Sequence, residues 1–546
     1  MPYPLLRYYL PSPLDQTSNC EVDVAIYGAT MAGIMAGIEA AGRGLSVLLL
    51  NPGRHVGGMT TSGLGWTDFG NPSVVGGLAR HFYRRVGQLR HGRDEMLWTF
   101  EPSAAATVVR DLIAESSLRI EDGFYVDEVL KEGARIKAMR STSGLEVRAR
   151  WFIDASYEGD LMARAGVSHV TGREDNEEFG EDSNGFQLRD LNQFELPVDP
   201  YVESGQASSG LLPGVHHRDD LPRTGAGDGL IQAYNFRLCM TRRPDLAVAF
   251  PQPAGYDEAK YELLARYFEA GWRMDLLPDG TFIKFDQIGN GKTDTNNGGG
   301  FSSDFIGGNW DFPNASYAER ERIFQEHVTY HQGLLWFLST NPRVPAEVAK
   351  AIRTYGLAGD EFTTTGNWPP QLYIRECRRM RGLETITERH CFGASSGDFS
   401  AALGAYSMDS HNCQRVVFDG MVKNEGDVQV PLPAPYEIPF RAMVPRAAEA
   451  TNLMVPVCLS ATHIAYGSVR MEPVFMALGQ AAGIAAATAL QRDLRAQDLA
   501  AADLHPLMFE AGMVFNISQL KDEERRNHNG NPSVPEFGEA ATLHRV

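Results

Sequence analysis

Residues 21–50, EVDVAIYGATMAGIMAGIEAAGRGLSVLLL, set the strongest constraint on what this chain folds into. EVDVAIY reads as a short apolar strand, AGIMAGIEAAGRG as a helix of small residues lying close on a sheet, and LSVLLL as a second buried strand. Two strands joined by one helix make a βαβ unit, which commits the chain to a layered α/β domain. Gly28 allows the tight turn and Gly33 allows helix and strand to approach, while the N–H groups at the helix start can cradle a pyrophosphate. Thr30 stands where a second glycine is expected; its Cβ crowds that approach, but its hydroxyl can donate to a phosphate. Asn51 stands where an acid usually ends the second strand and accepts from both ribose hydroxyls. An amide there keeps one or two hydrogen bonds without the help of charge. The turn alone fits either dinucleotide binding or ordinary helix packing.

A second glycine-rich segment follows at once. NPGRHVGGMTTSGLG, residues 51–65, adds Arg54 as a candidate phosphate or ribose contact. Two such loops on one domain point to an extended ligand with more than one contact site. Beyond them EPSAAATVVRDLIAES predicts a helix, and GFYVDEVLKEGARIKAMRSTSGLEVRARWFIDAS predicts short antiparallel strands feeding a buried one. That meander fits a flavin-binding α/β domain better than a plain nicotinamide dehydrogenase. Residues 171–434 break the order with polar loops, a Gly/Asn-rich stretch and several helices, and predict a second, mixed substrate lobe. TNLMVPVCLS then resumes an apolar strand, and EPVFMALGQAAGIAAATALQRD predicts a long helix closing the first domain. The expected division is therefore 1–170 with 435–495 for a discontinuous cofactor domain, 171–434 for the lobe, and 496–546 for a surface-packing tail.

Several classes of function lose support. A net charge of −19 over 546 residues argues against non-specific nucleic-acid binding. The chain lacks a long uncharged apolar run, and its first 20 residues lack a secretory pattern, so the expectation is a soluble cytoplasmic protein without a membrane partner. Cys20, Cys239, Cys377, Cys391, Cys413 and Cys458 are scattered without a C-x-x-C pair, which argues against structural zinc and iron–sulfur clusters. His327 and His331 lie one helical turn apart, but FQEHVTYHQG is not H-E-x-x-H, and His55, His81, His91, His216 and His217 form no ligand pattern. No metal is expected.

VAIYGATMAG, NPGRHVGGMTTSGLG, FIDASYEGDLMARAGV, NNGGGFSSDFIGGNW, YSMDSHNCQR and ATHIAYGSVRMEPVFMALGQAAG occur in that order across most of the chain. Their combination resembles the FAD-dependent oxidoreductase family within the wider glutathione-reductase-like FAD superfamily. The resemblance implies FAD in a Rossmann-like domain, with Gly28, Gly33, Asn51, Arg54, Gly57, Gly58 and Met59 around its ADP and ribityl side. The family turn tolerates Thr30, whereas Asn51 replaces the family's usual acid. Asp154 and Gly159 would approach the same cofactor, with a plain strand-end cap as the alternative for Asp154. Gly467, Ser468, Val469 and Arg470 resemble the loop beside the isoalloxazine ring, where N–H groups face the negative charge of reduced flavin.

Flavin carries the redox step, so the protein must place a donor carbon and take a proton. His463 in ATHIAYGS and His411 in MDSHNCQR are the two candidate bases. An extended QLYIREC puts Tyr373 and Arg375 on one face, as an aromatic wall and a cation, unless they form a solvent-facing ion-pair surface. Asn297, Asp304 and Asn309, in a polar stretch expected to be flexible, are candidates for the substrate entrance or for capping a loop. The expected reaction is hydride removal from a small polar alcohol or amine, giving a carbonyl or imine, with an electron acceptor left open and oligomers allowed. Flavin-dependent hydroxylation or rearrangement, and a non-catalytic FAD-binding scaffold, are the alternatives.

Overall fold

The computed structural model describes residues 6–11, 19–216, 221–274, 283–394 and 399–527. His217 and residues 528–546 of the expected tail lie outside the described residues. The βαβ unit forms as its pattern requires, with β1 at Asn19–Tyr27, α1 at Met31–Gly42 and β2 at Val47–Asn51. β1 and β2 pair in parallel, and β2 pairs in parallel with β3 (Arg119–Asp122). The other edge of β1 runs beside β6 (Glu146–Asp154), also in parallel, from Asn19 to Tyr27. β4 (Val126–Glu132) and β5 (Arg135–Ser141) form the predicted meander, and β5 pairs antiparallel with the first half of β6. The sheet order is β3-β2-β1-β6-β5-β4. Leu453–Met454 then returns to pair in parallel with Phe152–Ile153 on the second half of β6. This is a Rossmann-like α/β sheet with a discontinuous C-terminal contribution.

Small residues decide how the helices close over it. Gly479 and Gly483 in the Glu472–Arg492 helix sit where a Cβ would lie 2.1 Å from the Ala32 carbonyl oxygen and 2.5 Å from that of Ala36. The helix and α1 therefore touch backbone to backbone. Of the described helices it alone is long and apolar enough to cross a membrane, yet 89% of its most apolar window is buried inside the protein. Its apolarity is accounted for by packing.

The second lobe holds a five-stranded antiparallel sheet in the order Ile283–Gly289, Lys292–Asn297, Leu238–Thr241, Gly356–Ala358, Ala247–Val248. Lys292–Asn297 belongs to the stretch expected to be flexible, and instead it is a largely buried strand. Its polar side chains are paired: Lys292 Nζ lies 2.6 Å from Glu361, and the Arg237 guanidinium donates to Asp294 at 2.7 Å. The Tyr317–Thr340 helix carries His327 and His331, both buried. Each ring uses Nδ1 on a backbone carbonyl, of Ile323 and of His327, and burial holds them low at about 3 and about 4, so both stay neutral.

Candidate functional site

A cavity of about 540 Å³ opens at the C-terminal ends of β1, β2, β3 and β6, where parallel α/β sheets bind ligands. Gly28, Thr30, Asn51, Arg54 and Gly58 line it, with Asp122, Ser156, Tyr157 and Glu158. Gly28 has φ +104°, and a Cβ there would lie 2.6 Å from the Ser156 nitrogen; one on Gly33 would lie 2.1 Å from the Gly28 oxygen. The first turn therefore needs both glycines. Thr30 is corrected: its hydroxyl donates to the Ala155 carbonyl at 2.7 Å and caps α1 through the Gly33 N–H, so its proton is not offered to a phosphate. Asn51 lines the cavity edge, but its amide nitrogen is bonded to His55 O and Asp122.

The second loop bends through Gly57 at φ +103° and Gly58 at φ +56°. A Cβ on Gly58 would strike the Tyr157 hydroxyl at 2.3 Å, which is how closely that loop approaches the far wall. The Met59 N–H donates to the same hydroxyl at 3.0 Å, and Tyr157 donates onward to Glu472 at 2.6 Å. Asp154 lies off the cavity. Its carboxylate accepts from the Ser156 N–H and hydroxyl and from the Met162 N–H, and burial raises it to about 6. That is the strand-end cap. Gly159 belongs to the same turn, packed beside Met162 and Cys458 and away from the cavity.

The family model described as FAD dependent oxidoreductase matches residues 23–508. The chain belongs to the FAD dependent oxidoreductase family. FAD is therefore the ligand against which the cavity is to be measured. Its volume falls within the usual cofactor range, and its cradle at Gly28 and Gly58 admits backbone where any Cβ would intrude. The helix start at Gly28–Thr30 and the Arg54 guanidinium would hold the diphosphate, with Gly58 along the ribityl side, while Met59 lines a second, adjoining cavity. Glu158 on the opposite wall is pushed up to about 7, by burial first and by the neighbouring Asp160 second.

No curated protein matches the chain. Among solved structures, the chain is similar to a doubly substituted flavin monooxygenase from Stenotrophomonas maltophilia, at 18% identity over 25% of this chain and 38% of that one, with a TM-score of 0.19. For an L-proline dehydrogenase from P. horikoshii the figures are 18%, 30%, 26% and 0.18. For THI4 from Thermovibrio ammonificans they are 21%, 30%, 71% and 0.23. The chain covers less than half the length of the first solved chains it matches.

A second, narrow cavity of about 20 Å³ adjoins the first and shares Tyr157 with it. Met59, Asp68, Tyr373, Arg375, Arg470 and Glu472 are among its walls. In and behind these walls the structure brings together seven residues singled out from the sequence: Met59, Asn297, Asp304, Tyr373, Arg375, His411 and Arg470. The Arg375 guanidinium lies 4.6 Å from the Tyr373 ring centre and 2.9 Å from Asp304, with Asn297 at 3.4 Å. Arg470 donates to the Tyr373 hydroxyl at 2.9 Å and to the Asp409 carbonyl at 3.0 Å. His411 places Nδ1 3.0 Å from Asp304 and 3.1 Å from Asn297, and Nε2 3.6 Å from Asp409. Against their own burial, Arg375 and His411 hold Asp304 low, and His411 and Arg470 do the same for Asp409.

Other candidates lie elsewhere. His463 touches neither cavity: Nδ1 is 2.8 Å from Glu376, Nε2 is 2.9 Å from the Ser410 hydroxyl, and the side chain is buried. Asn309 is fully buried and donates to the Gln232 carbonyl at 2.7 Å, which is a loop-holding contact. Gly467, Ser468 and Val469 lie in a helix, His463–Val469, where a loop was expected. Gly467 makes room for the Asp409 backbone, Ser468 donates to the Tyr406 carbonyl at 2.6 Å, and Val469 is core; of the four only Arg470 reaches a cavity. The sequence reading missed Asp122, Tyr157, Glu158, Asp68 and Glu472. For Tyr157 and Glu158 the signal was present, since YEGD follows the strand that ends at Asp154.

Proposed function

We propose that this FAD-dependent oxidoreductase removes hydride from a small polar alcohol or amine, giving the carbonyl or imine. The supporting observation is the narrow cavity walled in part by Tyr373, Arg375 and Arg470, which shares Tyr157 with the cofactor cavity, and the Asp304, Asp409 and His411 network that lies behind those walls and is tied to them through Arg375 and Arg470. FAD held in the larger cavity would supply the hydride-accepting chemistry. Tyr373 and Arg470 hold the polar end of the substrate, and the proton leaving it is taken up at the Asp409–His411 pair. Asp304 fixes the orientation of the His411 ring through Nδ1. Nε2, 3.6 Å from Asp409, is left to receive a proton, which favours His411 over the doubly bonded His463.

Arg375 and Arg470 each carry a carboxylate partner, Asp304 and Asp409, and this supports a neutral polar substrate over an anionic one. A separate electron acceptor completes turnover. All six cysteines are free, which supports a reducing compartment and the cytoplasm as its location.

Anaerobic mixing with a panel of polar alcohols and amines, followed at the flavin absorbance, tests the reading. One class should bleach the flavin, and His411→Asn should slow that bleaching by about 100-fold or more while leaving the oxidised spectrum intact. A panel that never bleaches the flavin, alongside an oxygenated product formed with NAD(P)H and oxygen, would replace the reading with hydroxylation. Bound FAD with neither reaction would leave a binding scaffold.

A further inference from the structure

Asn51 and Asp122 end β2 and β3 and stand opposite each other in register. Asn51 is buried, and its amide is spent inside the protein: the nitrogen donates to His55 O at 3.2 Å and to Asp122 Oδ1 at 2.8 Å, and the oxygen accepts from the Gly53 N–H at 3.3 Å. Both amide hydrogens are thereby used. Asp122 also lines the larger cavity, is exposed there, and among the described residues has Asn51 as its one hydrogen-bond partner. Among the described residues its Oδ2 accepts no hydrogen bond.

A dinucleotide site ordinarily takes the ribose hydroxyls on an acid at the end of the second strand. We propose that in this chain the acid has moved one strand over: the Asp122 carboxylate binds the adenosine ribose of FAD, and Asn51 is the positioning residue that aims it. The exchange is physically coupled. An acid at position 51 would set two carboxylates within hydrogen-bond distance of each other, whereas the amide donates to Asp122 at 2.8 Å and holds it oriented. The inference rests on FAD being the cofactor and adds which residue reads its ribose.

The test is a fluorescence titration of the full-length chain, stripped of flavin, with FAD and with the FAD analogue whose adenosine ribose lacks the 2′-hydroxyl. Asp122→Asn should weaken FAD binding by about tenfold to a hundredfold, the range for one hydrogen bond to a charged group. The analogue should bind wild type more weakly than FAD does, and Asp122→Asn should add little further loss to it. The double exchange Asn51→Asp with Asp122→Asn restores one acid and one amide to the pair and should recover most of the FAD affinity together with the preference for FAD over the 2′-deoxy analogue, and a merely structural role for Asp122 would not produce that preference. It also serves as the second variant if Asp122→Asn alone fails to fold, as judged by its melting curve without flavin. FAD affinity of Asp122→Asn within about twofold of wild type, or an equal loss toward FAD and its analogue, overturns the proposal. If wild type takes up no FAD at all, the cofactor assignment itself fails and the proposal falls with it, by a result distinct from either of those.

Discussion

Glu472 and Glu158 are two buried carboxyls that the folded protein keeps protonated further than water would. Burial raises Glu472 from 4.5 to about 7, with Tyr157 and Thr60 donating to its oxygens. The folded state thus binds this proton more tightly than the unfolded chain, so the stabilisation is complete below about pH 4.5, falls as pH rises, and is gone above about 7. Urea unfolding at pH 5 and pH 8 should show wild type losing up to about 3 kcal/mol that Glu472→Gln does not lose. Glu158 acts on the ligand. Above about pH 7 it places a negative charge on the wall of the cavity in which the anionic diphosphate of FAD would lie. FAD affinity should therefore fall about threefold to tenfold between pH 6 and 8 in wild type and stay flat in Glu158→Gln, read by flavin fluorescence. At this scale the sequence was readable where a residue answers to its neighbours, as Gly33 does to the Gly28 carbonyl. It was unreadable at Thr30 and Asn51, whose deciding partners, Ala155 and Asp122, lie 125 and 71 residues away.

The tightest contact between elements is that of α1 with the Glu472–Arg492 helix. Gly479→Ala puts a methyl 2.1 Å from the Ala32 carbonyl oxygen and should cost about 1–3 kcal/mol in chemical denaturation. Gly42→Ala, at the end of α1 with no heavy atom within 4 Å of its Cβ position, should be neutral or stabilise by up to about 1 kcal/mol. The run of small residues made this helix legible as the closing element. Two other elements were not. KTDTNN has no apolar alternation, and it is a strand because Glu361 and Arg237, distant in sequence, neutralise its charges in the core. GSVR was expected as a loop from the family resemblance, and Gly467–Val469 instead end a helix in which that glycine makes room for the Asp409 backbone.

The cofactor domain is assembled from both ends of the chain. Without Leu453–Met454 the second half of β6 has an open edge, and without Gly479 and Gly483 the small-residue face of α1 is bare. Residues 1–170 expressed alone should therefore show no cooperative thermal transition and retain no flavin after gel filtration, whereas the full chain should do both. The late return of the chain to β6 also shapes its life on the ribosome. About 300 residues separate Phe152 from its partner Leu453, and at roughly 5–20 residues per second their synthesis takes on the order of 15–60 s. Throughout that interval an apolar strand edge waits unpaired on the nascent chain, open to other chains in the same polysome. Yield from an overexpressing cell is thus governed by chaperone supply and translation speed as much as by the stability of the finished protein.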